Sequence, residues 1–147
     1  MTEPTRAVLD TNVFVSASLS KSANSPTREL LERWKRGEFQ LITCKQVAKE
    51  LIEKLKERGI AREDVVMLAS ALIHSAEWIE VVSDNIEPLL SDPDDDVVLA
   101  CAVIGGANFL VTYDPHFDPL NGEYRGVKIL KAIPFLEILR KAGAQEK

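Results

Sequence analysis

Carboxylates are the side chains of this sequence whose placement could do chemistry. Asp10 follows the apolar run Ala7-Val8-Leu9 and opens Asp10-Thr11-Asn12, while Asp114 follows Leu110-Val111 and closes Thr112-Tyr113-Asp114. Between them, Asp92-Pro93-Asp94-Asp95-Asp96 precedes the wholly apolar Val97 to Ile104, and Glu50 sits at the border of an amphipathic stretch. Carboxylates gathered within ~4–6 Å repel one another and raise each other's pKa unless a cation neutralises them. Hard oxygen donors of this kind suit Mg²⁺ or Mn²⁺ far better than zinc. The chemistry expected is a metal-activated water attacking a phosphodiester, with one or two ions stabilising the attacking and leaving oxygens.

Each acid also has a plainer reading. Asp10 fits a turn or helix cap before Val13, and Asp114 before Pro115 is a good turn residue. The aspartates from Asp92 to Asp96 satisfy a helix N-terminus, and Glu50 alone reads as a solvated helix acid. The specific part is the ordered set: a strand ending in Asp-x-Asn, a helix Glu, an Asp opening a buried helix, and a strand ending in Thr-x-Asp.

The elements that must position these acids alternate along the chain. Strands are expected at Arg6–Leu9, Phe39–Thr43, Trp78–Val82, Phe109–Thr112 and Val127–Leu130. Val13 to Leu19 is an apolar stretch and Lys21 to Pro26 a loop. Helices are expected at Thr27–Arg36, closed by Gly37, at Lys45–Arg58, closed by Gly59, at Arg62–His74, and at Pro134–Lys141. Val97–Ile104, apolar on every side, should be the buried central helix, closed by Gly105-Gly106. Strands alternating with helices at this spacing imply a parallel sheet covered on both faces. Ligands of such sheets bind beyond the carboxyl ends of the strands, so Asp10, Asp114 and the start of the buried helix should meet on one edge.

The bulk properties bound this reading. A chain of 147 residues, 46% hydrophobic and 28% charged, is ordinary for a single domain at 1–147. Cys44 and Cys101 lie in apolar or helical contexts without metal-ligand spacing, which excludes a disulfide scaffold and a zinc knuckle. There is no signal-like N-terminus and no apolar run near the ~18 residues of a membrane span, so a cytoplasmic protein is expected. The net charge of -5 argues against a nucleic-acid partner unless several acids are concentrated in one cation site, where bound ions reverse the local field.

The ordered motifs resemble those of the PIN domain, in particular the stand-alone prokaryotic kind that includes VapC-like toxin ribonucleases. Leu9-Asp10-Thr11-Asn12-Val13 is similar to the family's opening motif, Lys49-Glu50-Leu51 to its second, Asp92-Pro93-Asp94-Asp95-Asp96 to its third and Val111-Thr112-Tyr113-Asp114 to its fourth. The likeness runs from about Arg6 to Leu139. It implies an α/β, PIN-like three-layer fold whose central parallel sheet has about four to five strands flanked by helices. It also implies a Mg²⁺- or Mn²⁺-dependent endoribonuclease acting on single-stranded RNA, often a homodimer and sometimes paired with an antitoxin. The family's third acid stands seven residues before a small helix residue; counting back from Ala102 selects Asp95, with Asp96, Asp94 and Asp92 as alternates. Asn12 and Thr112 resemble the family's supporting polar residues, which orient the carboxylates or a bound water.

Two rivals stand beside this reading. One is a non-catalytic RNA- or protein-binding module on the same fold. The other is a haloacid-dehalogenase-like phosphatase, which also places an Asp after the first strand but follows it two positions later with an Asp where this chain has Asn12. Arg28, Arg33, Lys35 and Arg36 on one helix, and Lys45, Lys49 and Lys56 on another, form basic stripes that read as solvated faces or as guides for phosphate. His116, close after Asp114, reads as a surface-loop residue ahead of one that touches substrate, and Trp34 and Trp78 as core or interface anchors ahead of base-stacking platforms.

Overall fold

The computed structural model describes residues 3–145; the first two and last two positions of the expected 1–147 domain lie outside them. The elements run β1 (Arg6–Leu9), α1 (Thr11–Leu19), α2 (Pro26–Lys35), β2 (Gln40–Thr43), α3 (Lys45–Glu57), α4 (Arg62–Ser75) and β3 (Ala76–Trp78). They continue with α5 (Pro93–Ile104), β4 (Phe109–Val111), β5 (Glu123–Tyr124), β6 (Val127–Leu130) and α6 (Ala132–Gln145), with single 3₁₀ turns at Ser83–Asn85 and Pro115–Leu120. The strands form one six-stranded sheet in the order β3-β2-β1-β4-β6-β5. All neighbours are parallel except β5, which pairs antiparallel with β6.

The sheet is buried on both faces, as a parallel sheet must be. Ala7, Leu9, Leu41 and Val111 face a core completed by Phe14, Trp34, Leu51, Leu72 and Phe135 from α1, α2, α3, α4 and α6. Val8, Ile42 and Leu110 face a second core, where Val98, Leu99, Cys101 and Ala102 of α5 cover the sheet. The apolar run read from the sequence is therefore the helix packed directly on β1, β2 and β4. Its close approach requires glycine at the end. A methyl at Gly105 would lie 2.7 Å from Ile42 Cγ2 and 2.9 Å from the Cys101 carbonyl oxygen. Gly105→Ala should therefore destabilise the protein by about 1–3 kcal/mol, the usual range for overpacking. A urea titration with an unchanged midpoint would show that α5 shifts freely on the sheet.

Three boundaries differ from the sequence expectation. The third strand is Ala76–Trp78 and not Trp78–Val82, because α4 runs directly into it and the sheet bonds stop after Ile79 N–H donates to Thr43 O. Beyond that point the Gln46 side chain donates to Val81 O at 2.8 Å and holds the segment against the start of α3. The last helix starts at Ala132 and extends to Gln145, with Pro134 in its first turn, where a missing N–H leaves no helical bond unmade. Strand β5, two residues long, adds a sixth strand that no periodicity announces. Among the described residues no helix is long and apolar enough to cross a membrane.

Candidate metal centre

The register of the sheet sets the site. Leu9 pairs with Val111, and Val111 with Leu130, so Asp10 and Thr112 stand one residue beyond the last paired row at the carboxyl edge. Asp10 N–H donates to Val111 O, which ties the two strand ends together before the chain turns into α1. The Asp10 side chain caps that helix, accepting from Thr11 N–H at 2.8 Å. Its other oxygen accepts from the Thr112 hydroxyl at 2.7 Å. The same hydroxyl oxygen accepts from Asp114 N–H at 3.0 Å, so its own proton is committed to Asp10. Asn12 Oδ1 accepts from Tyr113 N–H at 3.3 Å, a second tie between the β1 and β4 ends. Both supporting polar residues thus act on the backbone and carboxylates that carry the acids.

The run at the start of α5 separates into different tasks. Asp92 is the cap and accepts from Asp94 N–H, a bond made possible by Pro93 in the first turn. Asp94 is exposed. Asp96 is buried and accepts from Leu89 and Leu90 N–H groups at 3.1 and 2.8 Å, pinning the preceding loop. Asp95 faces the strand ends. One carboxylate oxygen each from Asp10, Asp95 and Asp114 lies within 4.8 Å of the others, so three of the four expected acids come together.

Glu50 is not in that group. It is half-buried on α3, and its carboxylate pairs with Lys54 Nζ one turn later at 3.2 Å. Its charge still reaches Asp10, since it contributes to raising the Asp10 pKa.

His116 is the residue the sequence placed on an ordinary surface loop. Its ring Nδ1 lies 2.8 Å from Asp95 Oδ2 and 3.3 Å from Asp114 Oδ1, and its backbone N–H donates to Asp114 Oδ1. A second grouping of possible ligand atoms, Asp92, Asp95 and His116, therefore shares Asp95 with the first. The sequence signal was available but weak: His116 is two residues beyond an acid that was already singled out, on the turn that acid caps.

Electrostatics match the geometry. Burial first, and then the charges of Asp114, Asp10 and Asp92, push the Asp95 carboxyl up to about 6, against relief from His116. Asp10 is also raised, first by burial and then by Asp114 and Glu50, while Thr112 and Thr11 oppose the shift. His116 is held more basic by Asp95 and Asp114. Buried oxygen donors that repel one another, with one further acid in reach, are the donor set that a hard divalent ion would satisfy. The residues present fit such an ion.

The basic stripe of α2 is occupied. Arg33 pairs with Glu29 at 2.8 Å and Glu38 at 2.6 Å, Arg36 pairs with Glu38, and Arg28 donates to Ser22 O. On α3, by contrast, Lys45 and Lys49 are exposed at the carboxyl edge of the sheet.

Comparison with known proteins places this arrangement. The family model for the PIN domain matches residues 6–116, which include β1, α3, the start of α5 and the end of β4. No curated protein matches the sequence. Among solved structures, VapBC2 from Rickettsia felis, bound to a DNA fragment from its promoter, superposes with a TM-score of 0.57 at 15% identity, covering 84% of this chain and 96% of that one. VapC20 of Mycobacterium tuberculosis, a toxin that cleaves the sarcin–ricin loop, superposes with a TM-score of 0.58 at 16% identity, covering 81% of this chain and 97% of that one. At such identities the superpositions speak for the fold. The sequence match is what reaches the strand ends and the acids they carry, and on it the chain belongs to the PIN-domain family.

Proposed function

We propose that this protein is a Mg²⁺- or Mn²⁺-dependent endoribonuclease that cleaves single-stranded RNA in the cytoplasm, as the toxin of a toxin–antitoxin pair and as a homodimer. The observation that carries the reading is the meeting of Asp10, Asp95 and Asp114, from three separate segments, with oxygens within 4.8 Å of one another. A bound Mg²⁺ or Mn²⁺ supplies an activated water and neutralises charge at the phosphodiester. In this reading Asp10, Asp95 and Asp114 would hold the ion, with Glu50, whose charge reaches Asp10, as the fourth acid. Thr112 fixes the Asp10 carboxylate, and His116 holds the Oδ2 oxygen of Asp95. The toxin and antitoxin roles are supported by the likeness of fold to VapBC2 and to VapC20, whose own target is the sarcin–ricin loop.

The test is incubation of the pure protein with labelled single-stranded RNA and Mn²⁺ or Mg²⁺, with chelator and duplex RNA as controls. Cleavage of the single strand that stops on chelation is the expected outcome. RNA that stays intact at millimolar Mn²⁺, while still bound by the protein, would favour the non-catalytic binding module.

A further inference from the structure

Trp78 is the last residue of β3, and the register puts it on the same edge of the sheet as the acids. Trp78 pairs with Thr43, and the parallel pairing of β2 with β1 carries that row to Leu9, the residue before Asp10. Trp78 therefore ends on the same carboxyl edge as the acids, two strands away, or about 10 Å at the usual strand spacing. Its indole N–H donates to Leu72 O at 3.0 Å, which fixes the ring, yet 42% of the residue stays exposed. It lines a groove of about 390 Å³ with Lys45, Gln46, Val81 and Val82. That volume lies in the range of small-ligand sites, roughly 300–1,000 Å³. Gln46 donates to Val81 O across the groove floor.

We infer that Trp78 is a stacking platform for one base of a single-stranded RNA whose phosphodiester lies at the Asp10–Asp95–Asp114 cluster, an inference that rests on the function proposed above. A half-exposed indole, fixed by a hydrogen bond, presents a π-face on which any base stacks without sequence preference. The separation corresponds to about three stacked nucleotides at roughly 3.4 Å each. β2 lies between β3 and β1, so α3 starts between platform and cluster, and it starts with Lys45. Exposed Lys49 follows one turn later, giving the backbone two cations along the path. Glu80 also lines the groove, and a neutral base avoids the repulsion that a phosphate would meet there. Charge complementarity thus puts the base in the groove and the phosphates along α3.

The experiment uses the full chain carrying Asp10→Asn, without metal, titrated with a fluorescently labelled single-stranded oligonucleotide. Anisotropy reads affinity and tryptophan emission reads stacking; Trp34 is buried, so a change on binding reports Trp78. Emission should be quenched on binding, Trp78→Ala should weaken affinity roughly tenfold, and Trp78→Phe should keep most of it. Val82→Asp at the exposed groove rim should weaken binding as well, which covers a Trp78→Ala chain that folds poorly. Lys45→Ala should reduce the dependence of affinity on salt by about one ion. Unquenched emission with unchanged affinity in the Trp78→Ala and Val82→Asp chains would overturn the platform, even if the wild type cleaves RNA. Sedimentation showing that Trp78→Ala converts a dimer to a monomer would assign the groove to self-association instead. Quenching and weakened variants, with no cleavage by wild type in Mn²⁺, would keep the platform and refute the nuclease.

Discussion

Asp10→Asn should lower the Mn²⁺-dependent cleavage rate by at least roughly 10²–10³-fold, the cost of removing one preorganised charge-stabilising group from a reaction site. The carboxylate has no spare capacity to be replaced. One oxygen accepts from Thr11 N–H and the other from Thr112, whose oxygen in turn accepts from Asp114 N–H. An amide at this position offers one acceptor where two are needed, and it brings no charge to an ion. The loss should appear in kcat, with RNA binding left within a few-fold, because the contacts proposed for the base and the flanking phosphates lie along α3 and β3. Single-turnover cleavage assays on equal amounts of folded protein read it directly. A variant retaining a tenth or more of the wild-type rate would remove Asp10 from the metal centre and return it to the role of helix cap.

How far this could be seen from the sequence depends on which physical rule placed each residue. Asp10 and Asp114 were legible because a parallel sheet brings strand ends to one edge, whatever the loops do. Asp95 is selected by the spacing that the family resemblance implies, seven residues before Ala102, and burial alone does not single it out because Asp96 is equally buried. The neighbouring aspartates have distinct work that local sequence does not reveal: Asp96 grips the loop at Leu89 and Leu90, and Asp92 caps the helix. Glu50 was placed on the correct helix, but its partner Lys54 is a rotamer choice that no spacing dictates. His116 stands close to Asp114 in the sequence but is not legible there as a partner of Asp95, for the same reason: that bond spans 21 positions and depends on how one turn folds back. The end of β3 was misplaced because Trp78 to Val82 has strand-like residues, while Gln46 draws Val81 off the sheet. The hairpin of β5 and β6 depends on left-handed residues at Asn121 and Arg125, and a strand of two residues carries no periodicity.

Without metal, the protein should be more stable at about pH 5 than at about pH 7.5, the reverse of the usual carboxylate trend. Asp95 is held at about 6 in the fold against 3.8 for an ordinary aspartate, so between those values the native state binds the extra proton. Stability therefore falls as pH rises from about 4 to above 6, by up to about 3 kcal/mol for that shift. Asp10 is raised too and pulls in the same direction. His116, also raised, adds stability that is present below its ordinary value of 6.5 and lost as pH rises past its folded pKa. Glu29 and Glu77 are lowered by Arg140 and Arg6, so they destabilise the fold only at more acid pH, below about 4.5. Asp95→Asn should remove most of the alkaline loss, because the amide oxygen still accepts from His116 while the repelling charge is gone. Adding Mn²⁺ to wild type should reverse the loss as well, by about 2.7 kcal/mol at a hundredfold excess over Kd. That gain should shrink towards pH 5, where protons compete for the same oxygens. In melting experiments the metal shift should therefore be large for wild type at about pH 7.5, small at about pH 5, and largely absent in Asp95→Asn. Equal metal shifts in wild type and Asp95→Asn would mean that the ion binds away from the cluster, and an apo stability that rises from about pH 5 to about 7.5 would mean that burial and the neighbouring charges do not raise the Asp95 pKa in the native fold.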